Sequence, residues 1–201
     1  QVDGGVKLSY LAKFVARYGL TGIEKFVGIP GSVGGSVAMN AGAEGAEISQ
    51  VLRSIKFMTL DGEIKTYSKS EMVFAYRKTT FPSKDGIVIE AELDLEKGKI
   101  SDIHQEMDKY LSRRGSTQPL TMPNSGSIFK NPDGEKAGRL IESAGLKGCR
   151  IGGASVSIKH ANFIVNKGGA LAEDVIRLIK HIQSVVEEKS GIKLEQEIIV
   201  I

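Results

Sequence analysis

Residues 124–132 read N-S-G-S-I-F-K-N-P, a short polar stretch that follows one proline and ends in another. The prolines oppose helix formation, and Gly126 permits a positive φ that lets the backbone approach a ligand closely. Ser127, Lys130 and Asn131 supply a hydroxyl, an ammonium and a carboxamide, which suit a diphosphate or a sugar. The stretch therefore predicts a ligand-binding loop, and the alternative is an ordinary surface turn with a buried Phe.

A second stretch, residues 28–42, reads G-I-P-G-S-V-G-G-S-V-A-M-N-A-G. Backbone amides that no side chain obstructs form concave anion sites, so this stretch predicts a cradle for the pyrophosphate of a nucleotide or dinucleotide. It has neither the G-x-G-x-x-G spacing of a Rossmann fingerprint nor the Gly-Lys-Ser/Thr end of a Walker A loop. The alternative is a packing turn at which two backbones touch.

Composition narrows the class of protein. The chain has 201 residues, of which 41% are hydrophobic, and this is enough for one large domain or two small ones. The balance of 27 Lys+Arg against 24 Asp+Glu, without a basic run, argues against a nucleic-acid partner. A single cysteine excludes an intrachain disulfide and is typical of a reducing cytosol. No apolar run is long enough to span a bilayer, and no signal peptide is recognisable. The three histidines lack metal-ligand spacing, so no metal site is predicted.

Hydrophobic periodicity predicts helices and strands in an α+β arrangement. The predicted helices cover residues 6–18, 101–114, 136–144 and 171–190, and the predicted strands cover residues 51–60, 63–67, 86–95, 155–158, 162–165 and 192–201. The polar interruption E-K-G-K at residues 96–99 predicts a domain boundary. We therefore expect a strand-rich first part over 1–98, a second part over 99–193, and a closing strand over 194–201. That strand should pair back onto the first part or beside its edge.

Three local features suggest a binding or catalytic site. Arg77, beside Tyr76, offers a planar fork that binds a carboxylate bidentately, and the alternative is a surface arginine that covers an aromatic ring. Glu195 and Glu197 share one face of the predicted final strand by the period of two. They form either a catalytic pair or a solvated edge that resists aggregation. His160 lies near the start of a predicted strand, where it can contact a ligand.

Six segments, taken in order, resemble the UDP-N-acetylenolpyruvoylglucosamine reductase family. They read G-I-P-G-S-V-G-G-S-V-A-M-N-A-G-A, Y-R, Q-P-L-x-x-P-N-S-G-S-I-F-K-N-P, A-G-R-L-I-E-x-A-G-L-K-G, S-I-K-H-A-N-F-I-V-N and L-E-Q-E. The resemblance runs from about residue 6 to residue 201, and the family's first half of the FAD-binding domain is missing. It implies the second part of a vanillyl-alcohol-oxidase-type FAD-binding domain, followed by an α+β substrate-binding domain. A cytoplasmic bacterial oxidoreductase of peptidoglycan synthesis is implied, and with it roles in cell wall biogenesis, cell shape, cell cycle and cell division.

The resemblance also implies a chemistry. NADPH would reduce FAD, and the reduced flavin would pass hydride to the vinyl carbon of UDP-N-acetylglucosamine enolpyruvate. Ser127 would donate the proton, Arg77 would stabilise the growing carboxylate charge, and Glu197 would complete the polar cage, either protonated or paired with the arginine.

Further residues are assigned by the resemblance. The implied FAD contacts are Gly28, Ile29, Pro30, Gly31, Ser32, Gly34, Gly35, Asn40, Ala41 and Gly42. The implied substrate contacts are Tyr76, Lys130, Asn131, His160 and Asn162. A monomer without nucleic-acid or membrane partners is expected. The alternative function is a sugar-nucleotide-binding fragment without independent redox activity, because the first FAD segment is absent.

Overall fold

Two separate hydrophobic cores organise the chain, and the division between the units that contain them falls between Arg113 and Arg114. The computed structural model describes residues 1–200. This division lies inside a helix, whereas the polar interruption in the sequence predicts a domain boundary between residues 98 and 99. The physical reason is that Ile103 and Met107, on the first half of this helix, are buried in the core of the first unit.

The first unit contains mostly strands. Its strands are β1 (Val2–Asp3), β2 (Leu20–Thr21), β3 (Gly42–Ala43), β4 (Ala46–Glu47), β5 (Leu52–Thr59), β6 (Ile64–Ser68), β7 (Val73–Ala75), β8 (Lys78–Thr80), β9 (Gly86–Leu93) and β10 (Glu96–Lys97). Its helices are α1 (Leu8–Ala16), α2 (Val33–Ala38) and most of α3 (Ile100–Thr117). The central sheet is antiparallel in the order β1-β9-β5-β6, and β7 and β8 form a separate hairpin.

Local sequence signals explain the β5–β6 hairpin and its continuation. Gly62 adopts a φ of 88° in the Asp61-Gly62 turn that joins β5 to β6. Ser68 and Glu71 form a capping box, in which the Ser68 amide donates to Glu71 Oε2 at 2.8 Å, and a short 3-10 turn begins there. This second turn leads the chain towards the β7–β8 hairpin.

The second unit combines a small sheet with two helices. Its elements after α3 are β11 (Asn124–Ser127), α4 (Ala137–Ser143), β12 (Arg150–Ile151), β13 (Ala154–Val156), β14 (Phe163–Asn166) and α5 (Ala172–Ser190). The sheet is antiparallel in the order β11-β14-β13-β12. Apolar residues of α4 and α5, among them Ile141, Leu178 and Ile182, fill the core of this unit. Among residues 1–200, no helix combines the length and the apolar composition that a bilayer crossing requires.

Two sequence predictions need correction in the second unit. Residues 124–127 form strand β11 instead of an open loop, because they pair with β14. The predicted closing strand is not continuous, since its described part forms only an isolated bridge between Gln196 and Phe129. The Leu194 carbonyl accepts a hydrogen bond from the Gln183 side chain at 2.9 Å. Beyond Lys130 the partner segment reaches Pro132, which has no N–H to donate, so the pairing does not continue. The segment pairs inside the second unit, whereas the prediction was that it pairs back onto the first part or beside its edge.

Candidate functional site

Ser127 lies at the end of β11, where the β11–β14 ladder finishes. It is half-buried and pairs with Phe163. After this position the chain leaves β14, and Ile128 and Phe129, both 1% exposed, enter the core. These two apolar side chains anchor the strand end, so the serine hydroxyl is carried on a fixed backbone.

The residues after Ser127 pair with the segment that contains Glu195 and Glu197. The Lys130 amide donates to the Glu195 carbonyl at 2.8 Å, and the Glu197 amide donates to the Ile128 carbonyl at 2.8 Å. The structure therefore brings Ser127, the predicted proton donor, and Glu197, the predicted carboxylate, onto neighbouring segments of one unit. Glu197 is half-buried and Glu195 is exposed, which distinguishes the two acids.

Lys130 already has an anionic partner. Its Nζ lies 2.5 Å from Glu195 Oε1, and the side chains of the two residues are 26% and 72% exposed. An ion pair with one partner this exposed contributes at most about 1 kcal/mol. A more highly charged group such as a diphosphate can therefore compete with Glu195 for the ammonium.

The other predicted substrate contacts of this unit have distinct local roles. Asn131 Oδ1 accepts from the Ala137 amide at 3.1 Å and so caps the start of α4. His160 Nδ1 accepts from the Asn162 amide at 3.3 Å, which leaves the proton of the neutral imidazole on Nε2. Burial, followed by the charge of Lys147, lowers the pKa of His160. The imidazole is therefore neutral at pH 7 and can offer one hydrogen bond but no charge.

Asn162 is 4% exposed, and both polar groups of its side chain bond to one residue. Oδ1 accepts from the Phe129 amide at 3.0 Å, and Nδ2 donates to the Phe129 carbonyl at 2.8 Å. This geometry supports a role in holding the strand end and not a direct contact with substrate.

One polar residue of this unit was not assigned a role from the sequence. Gln118 Oε1 is the only buried side-chain nitrogen or oxygen within residues 1–200 that has no hydrogen-bond partner. Gln118 follows α3 and precedes β11. A buried acceptor without a donor is costly, so this oxygen is a candidate to receive a ligand N–H. The only signal in the sequence was its place in the Q-P-L segment that leads into the polar stretch.

In the first unit, the glycine-rich segment is partly a packing turn. The Val33 and Gly34 amides donate to the carbonyls of Val6 and Gly4, both at 2.8 Å, and the Gly35 amide donates to Ser32 Oγ at 3.2 Å. These three amides are consequently engaged by protein groups. This part of the segment is therefore the packing turn, and a cradle for an anion is left only to the residues before it.

The open part of the segment is Gly31 and Ser32. Gly31 has a φ of 114°, is exposed, and has no atom within 4 Å of the position that a Cβ would take. No acceptor within residues 1–200 meets the amides of these two residues. Pro30 is exposed as well, while Gly28 and Ile29 are half-buried. Unobstructed backbone donors at a left-handed glycine suit an anionic diphosphate.

Gly34→Ala is expected to lower the free energy of unfolding by about 1–3 kcal/mol. A Cβ at Gly34 would lie 2.7 Å from the Val88 carbonyl oxygen and 3.2 Å from that of Gly4, so backbone must move. Gly5→Ala is the matched control, because nothing lies within 4 Å of its Cβ position. Urea denaturation of both variants measures the difference, and equal stabilities would contradict the packing role of Gly34.

Asn40 is fully buried and has a φ of 41°. Its Nδ2 donates to Glu47 Oε2 at 2.8 Å and to the Ala75 carbonyl at 3.1 Å, while its Oδ1 accepts from the Ser49 amide at 3.3 Å. Ala75 is the last residue of β7. Asn40 therefore supports the β7–β8 hairpin from inside, and its polar groups are directed to protein partners. The neighbouring Ala41 and Gly42 are half-buried.

Arg77 occupies the tip of this hairpin in an unusual backbone conformation. Its φ is 55°, which costs a residue with a Cβ about 1–2 kcal/mol. Nη2 donates to the Gly42 carbonyl at 3.2 Å, and the guanidinium lies 4.9 Å from the ring centroid of Tyr76. Strained backbone that persists at an exposed turn is typical of functional positions. The hairpin thus presents the arginine fork in a defined direction. Tyr76 is 44% exposed beside it.

Within residues 1–200, no group of three or more His, Cys, Asp and Glu side chains is placed to hold a metal ion. In each unit, the polar groups described above comprise hydrogen-bond donors and a cation, a combination that suits anionic ligands.

Comparisons with known proteins cover nearly the whole chain. Residues 118–201 match the model of the UDP-N-acetylenolpyruvoylglucosamine reductase C-terminal domain, and residues 1–68 match the model of an FAD binding domain. The two matches confirm the predicted fold class, with part of an FAD-binding domain followed by an α+β domain.

Individual relatives agree with these matches. UDP-N-acetylenolpyruvoylglucosamine reductase 2 of Bacillus cereus is 46% identical over 98% of the chain, and the reductase of Halalkalibacterium halodurans is 45% identical over the same share. The chain spans 65% of the length of either relative. The crystal structure of the reductase from Thermus caldophilus matches 96% of the chain with a TM-score of 0.86 and 40% identity, and the chain covers 69% of it. The chain belongs to the UDP-N-acetylenolpyruvoylglucosamine reductase family.

Proposed function

We propose that this chain belongs to an FAD-dependent enzyme that reduces UDP-N-acetylglucosamine enolpyruvate to UDP-N-acetylmuramate with NADPH. The observation that carries the proposal is the pairing of residues 128–130 with residues 195–197, which brings the segment that follows Ser127 beside Glu197. The family match extends over both segments. The enzyme would serve peptidoglycan precursor synthesis, and with it cell wall biogenesis, cell shape and division, as a monomer in the bacterial cytoplasm.

The residues of the first unit fit a flavin dinucleotide. Gly31 and Ser32 would hold its diphosphate through their amides, since these donors are open and no side chain obstructs them. Gly28, Ile29 and Pro30 would line the approach to this position, and Gly34 and Asn40 would support it from inside. When bound, FAD would supply the redox chemistry that carries hydride from NADPH to the vinyl group of the substrate.

Ser127 would supply the proton that completes the reduction. Negative charge develops on the carbon beside the carboxylate when the vinyl group is reduced, and this carbanion is a strong base. A serine hydroxyl is a weak acid at neutral pH, but transfer to so strong a base runs downhill. The proton moves from Ser127 Oγ to that carbon, and solvent then returns a proton to the serine. The buried neighbours Ile128 and Phe129 keep the donor in place.

Arg77 would stabilise the charge that spreads into the substrate carboxylate. The guanidinium keeps its charge at all relevant pH values and matches a carboxylate with two parallel N–H bonds. Its orientation is already restricted by the Gly42 carbonyl and the Tyr76 ring. Little reorganisation would be needed when the charge appears, which is the condition for effective electrostatic stabilisation.

The diphosphate-sugar part of the substrate would be bound by the second unit. Lys130 would exchange the exposed Glu195 carboxylate for a phosphate oxygen, and Asn131, whose Oδ1 caps α4, would contact the same part of the substrate. His160 would contribute a single neutral hydrogen bond from Nε2. Such a set of groups suits a sugar nucleotide.

Glu197→Gln is expected to slow the reduction of substrate by about 10²-fold, because glutamine keeps the shape of the side chain but lacks the carboxyl group that would complete the polar cage around the developing charge. Glu195→Gln is the matched control. It removes the ion pair with Lys130, which contributes at most about 1 kcal/mol and hence about a fivefold effect. Single-turnover kinetics of both variants decide between the two acids. A larger defect in Glu195→Gln would contradict the assignment.

A second candidate function is a sugar-nucleotide-binding unit without redox activity. The observation that favours it is that the candidate sugar-nucleotide contacts Lys130, Asn131 and His160 all lie in the second unit, whereas the match to the FAD binding domain covers residues 1–68 of the first. Titration of the purified chain with FAD and with UDP-N-acetylglucosamine distinguishes the two. Retention of flavin with NADPH-dependent reduction of the enolpyruvyl substrate supports the reductase, and binding of the sugar nucleotide by a colourless protein supports the alternative.

A further inference from the structure

We propose that Asn162 is a positioning residue, which sets the relative placement of Ser127 and Glu197 by holding the Phe129 peptide. The proposal rests on the proposed function, because the importance of this placement depends on the reduction that the two residues would serve. The Asn162 side chain forms no hydrogen bond to Ser127 or to Glu197. It would act on both of them through Phe129.

The first step is the geometry of the Asn162 side chain. Its carboxamide forms one bond to the amide of Phe129 at 3.0 Å and one to the carbonyl at 2.8 Å. The carboxamide thereby takes the place of a neighbouring strand, which would satisfy the same two backbone groups. The Asn162 carbonyl also accepts from the Ile128 amide at 2.9 Å, so three bonds fix the same short segment.

The backbone of Phe129 needs such a substitute, because the β11–β14 ladder ends before it. The ladder between β11 and β14 contains an irregularity and ends at the pair Ser127–Phe163. Phe129, two residues later, is 1% exposed, so its backbone groups cannot turn to water. A buried backbone group without a partner loses its hydrogen bond to water and gains none in return, which is destabilising. Asn162 satisfies both groups where the strand can no longer do so.

The third step links this segment to Glu197. On the other edge of residues 128–130, the Ile128 carbonyl accepts a hydrogen bond from the Glu197 amide, and the Lys130 amide donates to the Glu195 carbonyl. Phe129 also forms the bridge with Gln196. A shift of the Phe129 peptide would therefore move the backbone of Glu197 as well as the end of β11. One buried carboxamide thus holds both predicted reacting groups of this unit in register.

The test compares Asn162→Ala with Asn162→Asp and with Asn166→Ala in the full-length, flavin-loaded protein. Asn162→Asp keeps the shape and the acceptor for the Phe129 amide but loses the Nδ2 donor, and it decides the matter if the alanine variant does not fold. Asn166 is the matched control. It ends the same strand, β14, and its Oδ1 accepts only from the local amides of Gly168 and Ala170.

Two readouts are measured for each variant. Amide hydrogen exchange should become faster at Phe129 and Glu197 in the Asn162 variants and remain unchanged there in Asn166→Ala. The single-turnover rate with enolpyruvyl substrate should fall by about 10²-fold in Asn162→Ala, since a displacement near 1 Å can have an effect of this size. Flavin reduction by NADPH and substrate affinity should stay close to those of the unmutated protein.

Other results would overturn the proposal. If amide hydrogen exchange at Glu197 or the single-turnover rate is unchanged in Asn162→Ala, Asn162 does not act on Glu197 through Phe129. Weaker substrate binding with a normal rate at saturation identifies Asn162 as a substrate contact instead. Failure of the proposed function is visible separately, because the unmutated protein would then not reduce the substrate, whereas the exchange measurement would still report on the Phe129–Glu197 coupling.

Discussion

Ser127→Ala is expected to slow the reduction of the enolpyruvyl substrate by about 10³–10⁴-fold, while reduction of the flavin by NADPH stays unchanged. A positioned general acid contributes about 10²–10⁴-fold, and a donor without a substitute should lie at the upper end of this range. The nicotinamide step needs no protein proton donor, so it provides an internal control. Stopped-flow absorbance of the two half-reactions separates the effects.

Ser125→Ala provides the matched control for this variant. Ser125 lies on the same strand, β11, two residues earlier, and its side chain is exposed. It should have normal rates in both half-reactions. A large defect of Ser127→Ala in flavin reduction, or a normal rate with the enolpyruvyl substrate, would remove Ser127 from its assigned role.

Arg77→Lys is expected to be nearly as damaging as Arg77→Ala, each slowing the substrate half-reaction by about 10²–10³-fold. Removal of one preorganised donor to a developing negative charge has an effect of this order. Lysine keeps the positive charge but lacks the planar fork that binds both carboxylate oxygens. Single-turnover kinetics with saturating substrate give the rate for each variant. Recovery of most of the activity by lysine would show that charge alone matters.

Arg77→Asn separates catalysis from folding at the same position. Asparagine adopts a positive φ more readily than arginine does, so the φ of 55° should be less strained. We expect the melting temperature to stay unchanged or rise, while the substrate half-reaction falls as in Arg77→Ala. Lys78→Ala, on the exposed start of β8, should leave both properties unchanged. A strongly destabilised Arg77→Asn would mean that the arginine is needed for the fold.

Local signals were sufficient for much of the fold. The Asp-Gly turn, the Ser68–Glu71 capping box and the hydrophobic stripes of α3 and α5 depend on residues a few positions apart, and the structure contains all of them. The boundary at residues 98 and 99 was placed from a polar interruption. The observed division lies further along because burial of Ile103 and Met107 in the first core is a tertiary effect.

Long-range contacts explain what the sequence pattern did not reveal. The side chain of Asn162 bonds to a residue 33 positions away, and that of Asn40 to one 35 positions away. Nothing in the local pattern distinguishes such structural amides from ligand contacts. Similarly, Gly34 is required by the nearby carbonyl of Val88, which a glycine-rich motif alone does not indicate. The final segment had a strand pattern, but Pro132, in the segment with which it pairs, has no N–H to continue the ladder.

The most direct test of the proposed reductase is a single turnover in the absence of oxygen. The full-length, flavin-loaded protein is reduced with one equivalent of NADPH and then mixed with UDP-N-acetylglucosamine enolpyruvate, while flavin absorbance is recorded and the product is identified by mass. We predict that the absorbance of oxidised flavin returns, that UDP-N-acetylmuramate forms in equal amount, and that UDP-N-acetylglucosamine without the enolpyruvyl group has no such effect. Binding of the enolpyruvyl substrate without reoxidation of the flavin would contradict the proposed reaction.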